Sequence, residues 1–220
     1  CLNICFLSCS LTADPVTILN RFRLIHVTVR SASMPPLLLS ICVYVVFPGT
    51  FLILLEHNHI YTLGKNANRD NILNNDCEII QTDRGGDVTY HGPGQLVGYP
   101  IINLKRIGLG VKSYVNHIES LLIAVLHDYN IDAHTKKGKP GVWIDDRKIG
   151  SIGIRVSHGV TTHGFSLNVN TDMNYFSNII SCGIDDVLMT SMEKELGTEL
   201  FIDDIKQSII LHFNRLFNIQ

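Results

Sequence analysis

From Val111 to Tyr129, apolar side chains recur at Val111, Tyr114, Val115, Ile118, Leu121, Leu122, Val125, Leu126 and Tyr129. These are the three- and four-residue steps of one helical face. A helix with a single apolar stripe must bury it against a second layer. The sequence on both sides supplies that layer as short strand-like runs.

Phe51 to Leu55 is continuously apolar and is bounded by Pro48-Gly49 and by Glu56-His57-Asn58, which predicts a buried strand. The 11-residue apolar run Leu37 to Phe47, cut off by Pro48-Gly49-Thr50, is too short for the roughly 20 residues of a membrane span and pairs with it as a second buried strand. Glu78 to Thr82 and Leu96 to Ile102 are expected to be similar strands, with the glycine-rich stretch Arg84 to Gln95 as the loop between them. Downstream, Lys136 to Gly141 reads as a turn, Val142-Trp143-Ile144 as a strand and Asp145-Asp146-Arg147 as a tight reversal, so that Lys148 begins the next strand. Ile149 to Val156 and Val160 to Val169 form a hairpin around Ser157-His158-Gly159. Ile202, Ile205, Ile209, Phe213 and Leu216 repeat the helical spacing and predict a closing helix packed on the sheet.

A chain of 220 residues fits one domain with a complete core. Its formal charge of -2, without a Lys/Arg run, lacks the basic footprint that phosphate backbones select, so no nucleic-acid partner is expected. No membrane partner is expected either. The six cysteines show no CxxC pair: Cys1, Cys5, Cys9 and Cys42 lie in the first fifth, while Cys77 and Cys182 stand alone. That pattern reads as reduced thiols inside a cell. Residues 1–46 lack the periodicity of the rest and start at Cys1 rather than Met. They are set apart as an atypical segment, a fragment end, misread start or disordered stretch, from a catalytic domain over residues 47–220.

Several residues carry chemical potential. Arg84-Gly85-Gly86-Asp87-Val88-Thr89-Tyr90-His91 and the Gly92-Pro93-Gly94-Gln95 that follows place four glycines in 12 positions. Glycines let backbone amides approach a ligand closely, although a turn-rich connection needs them too. The spacing is neither a Walker A loop nor a GxGxxG fingerprint. Cys182 precedes Gly183, which leaves room for a substrate and a free amide that can stabilise an oxyanion; the alternative is a small buried hydrophobe. Lys148 is either a solvated turn lysine or, beside a thiol, the cation that lowers its pKa from about 8.5 into the working range. His163 reads as a structural histidine or a pocket wall at a strand edge. No metal is expected, since HExxH and CxxC are absent, and His57 and His59, taken to share one strand face, have no third ligand.

Together, RGGDVTYHGPGQLVGYPIINL, GKPGVWIDDRKIGSIGIRVSHGVTTHGFSLNVN and ISCGI resemble, in order, the lipoyl(octanoyl) transferase family, the octanoyltransferases of endogenous lipoate synthesis. The resemblance runs from Phe51 to Cys182 and more loosely into the tail. It departs at residues 1–46, where the family usually has a strand and a helix. It implies an α/β (α+β) fold, a mixed sheet flanked by helices, of the biotin/lipoate protein ligase catalytic-domain type. It also implies Cys182 as the acyl-thioester nucleophile and Lys148, 34 residues upstream, as its activator. The implied acyl pocket is Arg84 to His91, Ser151-Ile152-Gly153 and Gly164-Phe165-Ser166, with Val88, Ile152 and Phe165 as walls and His163 beside them. The implied reaction takes octanoate from octanoyl-acyl carrier protein to a lysine of lipoyl domains, those of 2-oxoacid dehydrogenases and the glycine cleavage H protein. It needs no cofactor, ATP or metal, and the protein is expected to act as a monomer in the cytoplasm or the mitochondrial matrix. Two alternatives stand beside it: an ATP-dependent lipoate-protein ligase of the same fold, and a non-catalytic module that binds lipoyl domains or carrier proteins.

Overall fold

The computed structural model describes residues 23–29 and 39–47 as backbone strands and residues 50–74, 76–181 and 187–217 in full. The strands are β1 (Arg23–Val29), β2 (Leu39–Phe47), β3 (Thr50–Leu55), β4 (Ile60–Leu63), β5 (Glu78–Gln81), β6 (Val88–His91), β7 (Gln95–Ile101), β8 (His134–Lys136), β9 (Lys139–Ile144), β10 (Arg147–Ser157), β11 (Val160–Asn168) and β12 (Leu188–Met189). The helices are α1 (Val111–Asp128), α2 (Met192–Leu196) and α3 (Ile202–Leu216). The main sheet runs β1-β2-β3-β7-β11-β10-β9-β8, and β12 lies beside β10; a second sheet runs β5-β4-β6. Both sheets are mixed, since β12 is parallel to β10 and β5 is parallel to β4, while the remaining pairs among the described strands are antiparallel.

The helical stripe does what its spacing predicts. Tyr114, Ile118, Leu121, Leu122, Val125 and Leu126 are buried on α1, and Val111, at the first turn, stays half exposed. Directly paired residues share a face of a sheet, so the row Leu54–Gly98–Phe165–Ile152 marks the face turned to α1. Leu54, Phe165 and Ile152 pack with the α1 stripe in one core. Each fully buried large apolar side chain there contributes about 1.5–3 kcal/mol. A smaller core joins Tyr61 and Leu63 of β4, Val88 and Tyr90 of β6, Phe176 and Ile179.

Several expectations are corrected. The turn read over Lys136 to Gly141 is Lys137-Gly138 alone, because β8 and β9 take the residues on either side, and β10 opens at Arg147 rather than Lys148. The stretch Arg84 to Gln95 is not all loop, because Val88 to His91 form β6 against β4. Short alternating Val-Thr-Tyr-His with glycine on both sides is a strand that glycine density hides. Glu78 to Gln81 is a strand but an edge one, with Glu78, Ile80 and Gln81 all exposed. His57 and His59 lie between β3 and β4 rather than along a strand. Finally, α3 lies against α1, where its Ile205, Ile209 and Phe213 complete the main core.

The β10–β11 hairpin has a two-residue turn, His158-Gly159, one residue tighter than expected. Both turn residues have positive φ (53° and 86°), the handedness that matches strand twist.

Candidate active site

The face of the main sheet turned away from α1 is built differently. Its cross-strand row is Leu55–Val97–Ser166–Ser151, and the pair Gly153–Gly164 lies next to it. Lys148 and Trp143 are direct partners at the β9–β10 turn. Lys148 is 3% exposed, and its Nζ lies 5.5 Å from the centroid of the Trp143 ring, within the range where a cation is held by an aromatic face. Gly141 makes room for it. A Cβ at Gly141 would sit 2.6 Å from Lys148 Cε, and its φ of +121° disfavours any side chain. The Gly141 N–H in turn donates to Glu119 Oε1 of α1 at 3.0 Å. Burial, ring stacking and a required glycine make Lys148 a built-in lysine rather than a solvated one.

The glycine loop crosses β10 at Gly153. The Gly85 N–H donates to the Ile154 carbonyl at 3.0 Å, and a Cβ on Gly153 would lie 3.0 Å from Gly85 O and 3.2 Å from Arg84 Cδ. The Arg84 guanidinium is buried: Nη2 donates to the Thr62 carbonyl (2.6 Å) and to Thr62 Oγ1 (2.9 Å), and Nη1 donates to Gly85 O (3.0 Å). Arg84 therefore ties the loop to β4. Asp87 closes the turn beneath it, accepting from the Asn68 and Val88 N–H groups and from Asn71 Nδ2.

Past β6 the loop becomes polar and buried. Gln95 is 1% exposed and spends its Nε2 on the Tyr90 carbonyl (3.2 Å) and Asn168 Oδ1 (2.9 Å). Its Oε1 must then accept from His91 Nδ1 at 2.7 Å, which puts the His91 proton on Nδ1 and leaves Nε2 as an acceptor. Burial pushes His91 down to about 3, with the Gln95 bond opposing and neighbouring positive groups adding to the fall. Next to it stands His57, ring centroids 5.6 Å apart. His57 Nε2 shares a 2.7 Å hydrogen bond with Tyr99 OH. Burial also lowers the His57 pKa and raises that of Tyr99 to about 12.

The structure thus gathers Arg84, Gly85, Ser151, Gly153, Gly164 and Ser166 between the loop and the Lys148 face, and His91 joins them through Gln95. Other expected pocket residues go elsewhere. Val88 and Tyr90 fill the small-sheet core, Thr89 is buried on β6, and Gly86, at φ +89°, shapes the turn. Ile152 and Phe165 point into the α1 core, so they reach the pocket side through backbone alone. His163, at φ +58°, turns its Nε2 to Asp83 Oδ1 at 2.6 Å, and Asp83 also pairs with Arg155. Cys182 lies outside the described residues. The strand that follows it, β12, is described: Met189 pairs with Lys148, and the Thr190 N–H donates to the Lys148 carbonyl at 3.0 Å.

Sequence reasoning missed His57, Gln95, Tyr99, Trp143 and Asn168 as site neighbours. The signal for two of them was present, since Gln95, Val97 and Tyr99 alternate along β7 and must share its face. Asn168 and Trp143 lie inside the stretches that carry the family resemblance, but neither periodicity nor spacing singles them out.

The chain was compared with known proteins. Residues 46–214 match the family described as lipoyl protein ligase A/B catalytic domain. An octanoyltransferase of Cytophaga hutchinsonii is 43% identical over 187 residues, covering 79% of this chain and 77% of that protein. An octanoyltransferase of Bacteroides thetaiotaomicron is 45% identical over 179 residues, covering 76% of this chain and 79% of that one. Among solved structures, a bi-partite lipoate protein ligase from Thermoplasma acidophilum superposes with a TM-score of 0.62 at 15% identity, covering 77% of this chain and 71% of that chain. The sheet order, the glycine loop crossing β10 and these matches lead to one conclusion: the chain belongs to the lipoyl protein ligase A/B catalytic domain family.

Proposed function

We propose that this protein is an octanoyltransferase of protein lipoylation, working through a thioester on Cys182 with Lys148 as its activating group. The observation that carries this reading is Lys148 itself. It is a buried lysine stacked on Trp143, and the strand that ends the Cys182 to Asp186 segment is hydrogen-bonded to its backbone. Relatives at 43% and 45% identity carry the name octanoyltransferase.

The steps balance without a co-reactant. The Cys182 thiolate attacks the thioester carbonyl of octanoyl-acyl carrier protein, a new C–S bond forms and the carrier thiolate leaves, taking a proton from the Lys148 ammonium. Neutral Lys148 then accepts a proton from the attacking amine of a lipoyl-domain lysine. The amide forms, and the Cys182 thiolate is released. Backbone amides beside Gly183 are the candidate oxyanion donors. The incoming thioester is already activated, so neither ATP nor a metal enters the balance. Ser151 and Ser166, small partners on this face, leave a side along which an octanoyl chain can lie, each buried methylene contributing about 0.8 kcal/mol.

We assign catalysis to residues 47–220. The acceptors are the lipoyl domains of 2-oxoacid dehydrogenases and the glycine cleavage H protein, and the enzyme acts as a monomer in a reducing compartment, the cytoplasm or the mitochondrial matrix. The test is transfer from octanoyl-acyl carrier protein to a lipoyl domain without ATP. ATP-free transfer, with no octanoate-dependent pyrophosphate exchange, is the expected result; dependence on ATP with such exchange would overturn the reading in favour of a ligase.

A further inference from the structure

β12 is only two residues long, and its ladder to β10 consists of Arg147–Leu188 and Lys148–Met189. A ladder this short does not hold itself in place. Two sets of side-chain bonds hold it instead. On the outer side, Thr190 Oγ1 donates to Glu195 Oε1 at 2.5 Å, and Glu195 takes both Nε (2.9 Å) and Nη2 (3.0 Å) of Arg147. On the inner side, Asn168 at the end of β11, 2% exposed, donates from Nδ2 to the Thr190 carbonyl at 2.9 Å. Its Oδ1 accepts from Gln95 Nε2, and Gln95 in turn holds His91.

An unbroken chain of hydrogen bonds therefore runs from the His91 imidazole through Gln95, Asn168 and Thr190 to the Lys148 carbonyl. Its members Gln95, Asn168 and Thr190 are buried, in an interior where an unpaired amide costs about 1–3 kcal/mol. Asn168 uses its donor and its acceptor for two different parts of the chain, the residue that follows β12 and the first residue of β7.

We propose that Asn168 is a positioning residue for the acyl-transfer step. It clamps the chain at the end of β12 to the start of β7 and to the Lys148 strand, and so sets where β12, which follows Cys182 in the sequence, lies relative to Lys148. This inference rests on the reading that Cys182 and Lys148 act together. Asn168 touches no reacting atom in this account; it acts through Thr190 and the backbone of Lys148.

The test is Asn168→Asp, which keeps the shape and the acceptor facing Gln95 but replaces the donor to Thr190 O with a second acceptor. The expected result is a 10- to 100-fold fall in kcat, an unchanged KM for the lipoyl domain and slower alkylation of Cys182 by iodoacetamide at pH 7, read on the Cys182 peptide by mass. Glu195→Gln loosens the outer set of bonds from a partly exposed position, so it tests the same clamp if the buried carboxylate prevents folding; a smaller kcat loss in the same direction is expected. A folded Asn168→Asp protein, or failing that Glu195→Gln, with wild-type kcat and wild-type Cys182 alkylation overturns the positioning role. If octanoyl-acyl carrier protein leaves no acyl group on Cys182 of the wild type, the underlying mechanism fails with it. An acylated wild type beside unaffected variants removes only Asn168.

Discussion

The two faces of the main sheet follow different rules. On the α1 side, Leu54, Phe165, Ile152 and the helical stripe are large, apolar and interchangeable in kind, and the dominant force is area removed from water. On the other side the row is Val97, Ser166 and Ser151 beside Gly153 and Gly164, bordered by Lys148, Gln95 and Asn168. There the residues are small where a second backbone approaches and polar where a hydrogen bond must be met. Damage to the first face should appear as lost stability. Damage to the second should appear as lost chemistry, or as strain at single atoms.

The largest separation is expected from Lys148→Ala. Removing the acid–base group proposed at this position should lower acyl transfer about 100- to 10,000-fold, measured as kcat at saturating lipoyl domain, while circular dichroism shows a retained fold. A mutant within threefold of wild type would end the distinction between the faces at its strongest point. On the helix side, Phe213→Ala should cost about 3–5 kcal/mol in urea unfolding, since the ring is fully buried between α1 and α3. Activity per folded molecule should stay near wild type.

Gly164→Ala examines close approach. Its Cβ would lie 2.1 Å from Gly98 O, a backbone atom that cannot swing aside, so a loss of about 1–3 kcal/mol is expected in the same unfolding assay. Gly138→Ala is the comparison, because its Cβ meets nothing within 4 Å and only its φ of +78° opposes the change; it should cost less.

The smallest effect is a slope. His91 is held down to about 3 by burial, below its ordinary 6.5. Above pH 6.5 both folded and unfolded chains carry it neutral. Below that the unfolded chain binds the proton first, so stability falls as pH drops from 6.5 toward about 3, by up to about 1.4 kcal/mol per pH unit. His57, also lowered by burial, adds in the same direction. Replacing His91 by Gln should flatten the slope between pH 6.5 and 4.5 by close to one proton, in urea titrations across that range. An unchanged slope would show that the imidazole is not held neutral by the fold. The lowered carboxylates Asp83, Asp128, Asp146 and Glu195 titrate below that window.

The same contrast explains what could be read from the chain. The helix face was legible because burial writes a period into sequence: the stripe from Tyr114 to Leu126 and the tail from Ile205 to Phe213 both come out as helices, α1 on the sheet and α3 against α1. The hairpin and the strand that carries Lys148 were legible from turn chemistry, each within one residue: β10 opens at Arg147 after Asp145-Asp146, and the hairpin turn is His158-Gly159. The site face has no period to read. β6 was hidden because glycines that serve close backbone approach look like those of a loop. Ile152 and Phe165 were taken as pocket walls because adjacency in sequence to Ser151, Gly153, Gly164 and Ser166 does not reveal that alternate residues point to opposite faces. Periodicity gave no sign of what Asn168 and Thr190 do, since their roles depend on partners 73 and 22 residues away from Asn168.

The central claim is a thioester on Cys182 serviced by Lys148. The most direct measurement is intact-protein mass after mixing with octanoyl-acyl carrier protein, run beside Cys182→Ala with circular dichroism on both. A gain of one octanoyl group on the wild type alone, discharged when a lipoyl domain is added, is the predicted result. A folded wild type that gains no mass, or a Cys182→Ala protein that gains and discharges it equally well, would contradict the account.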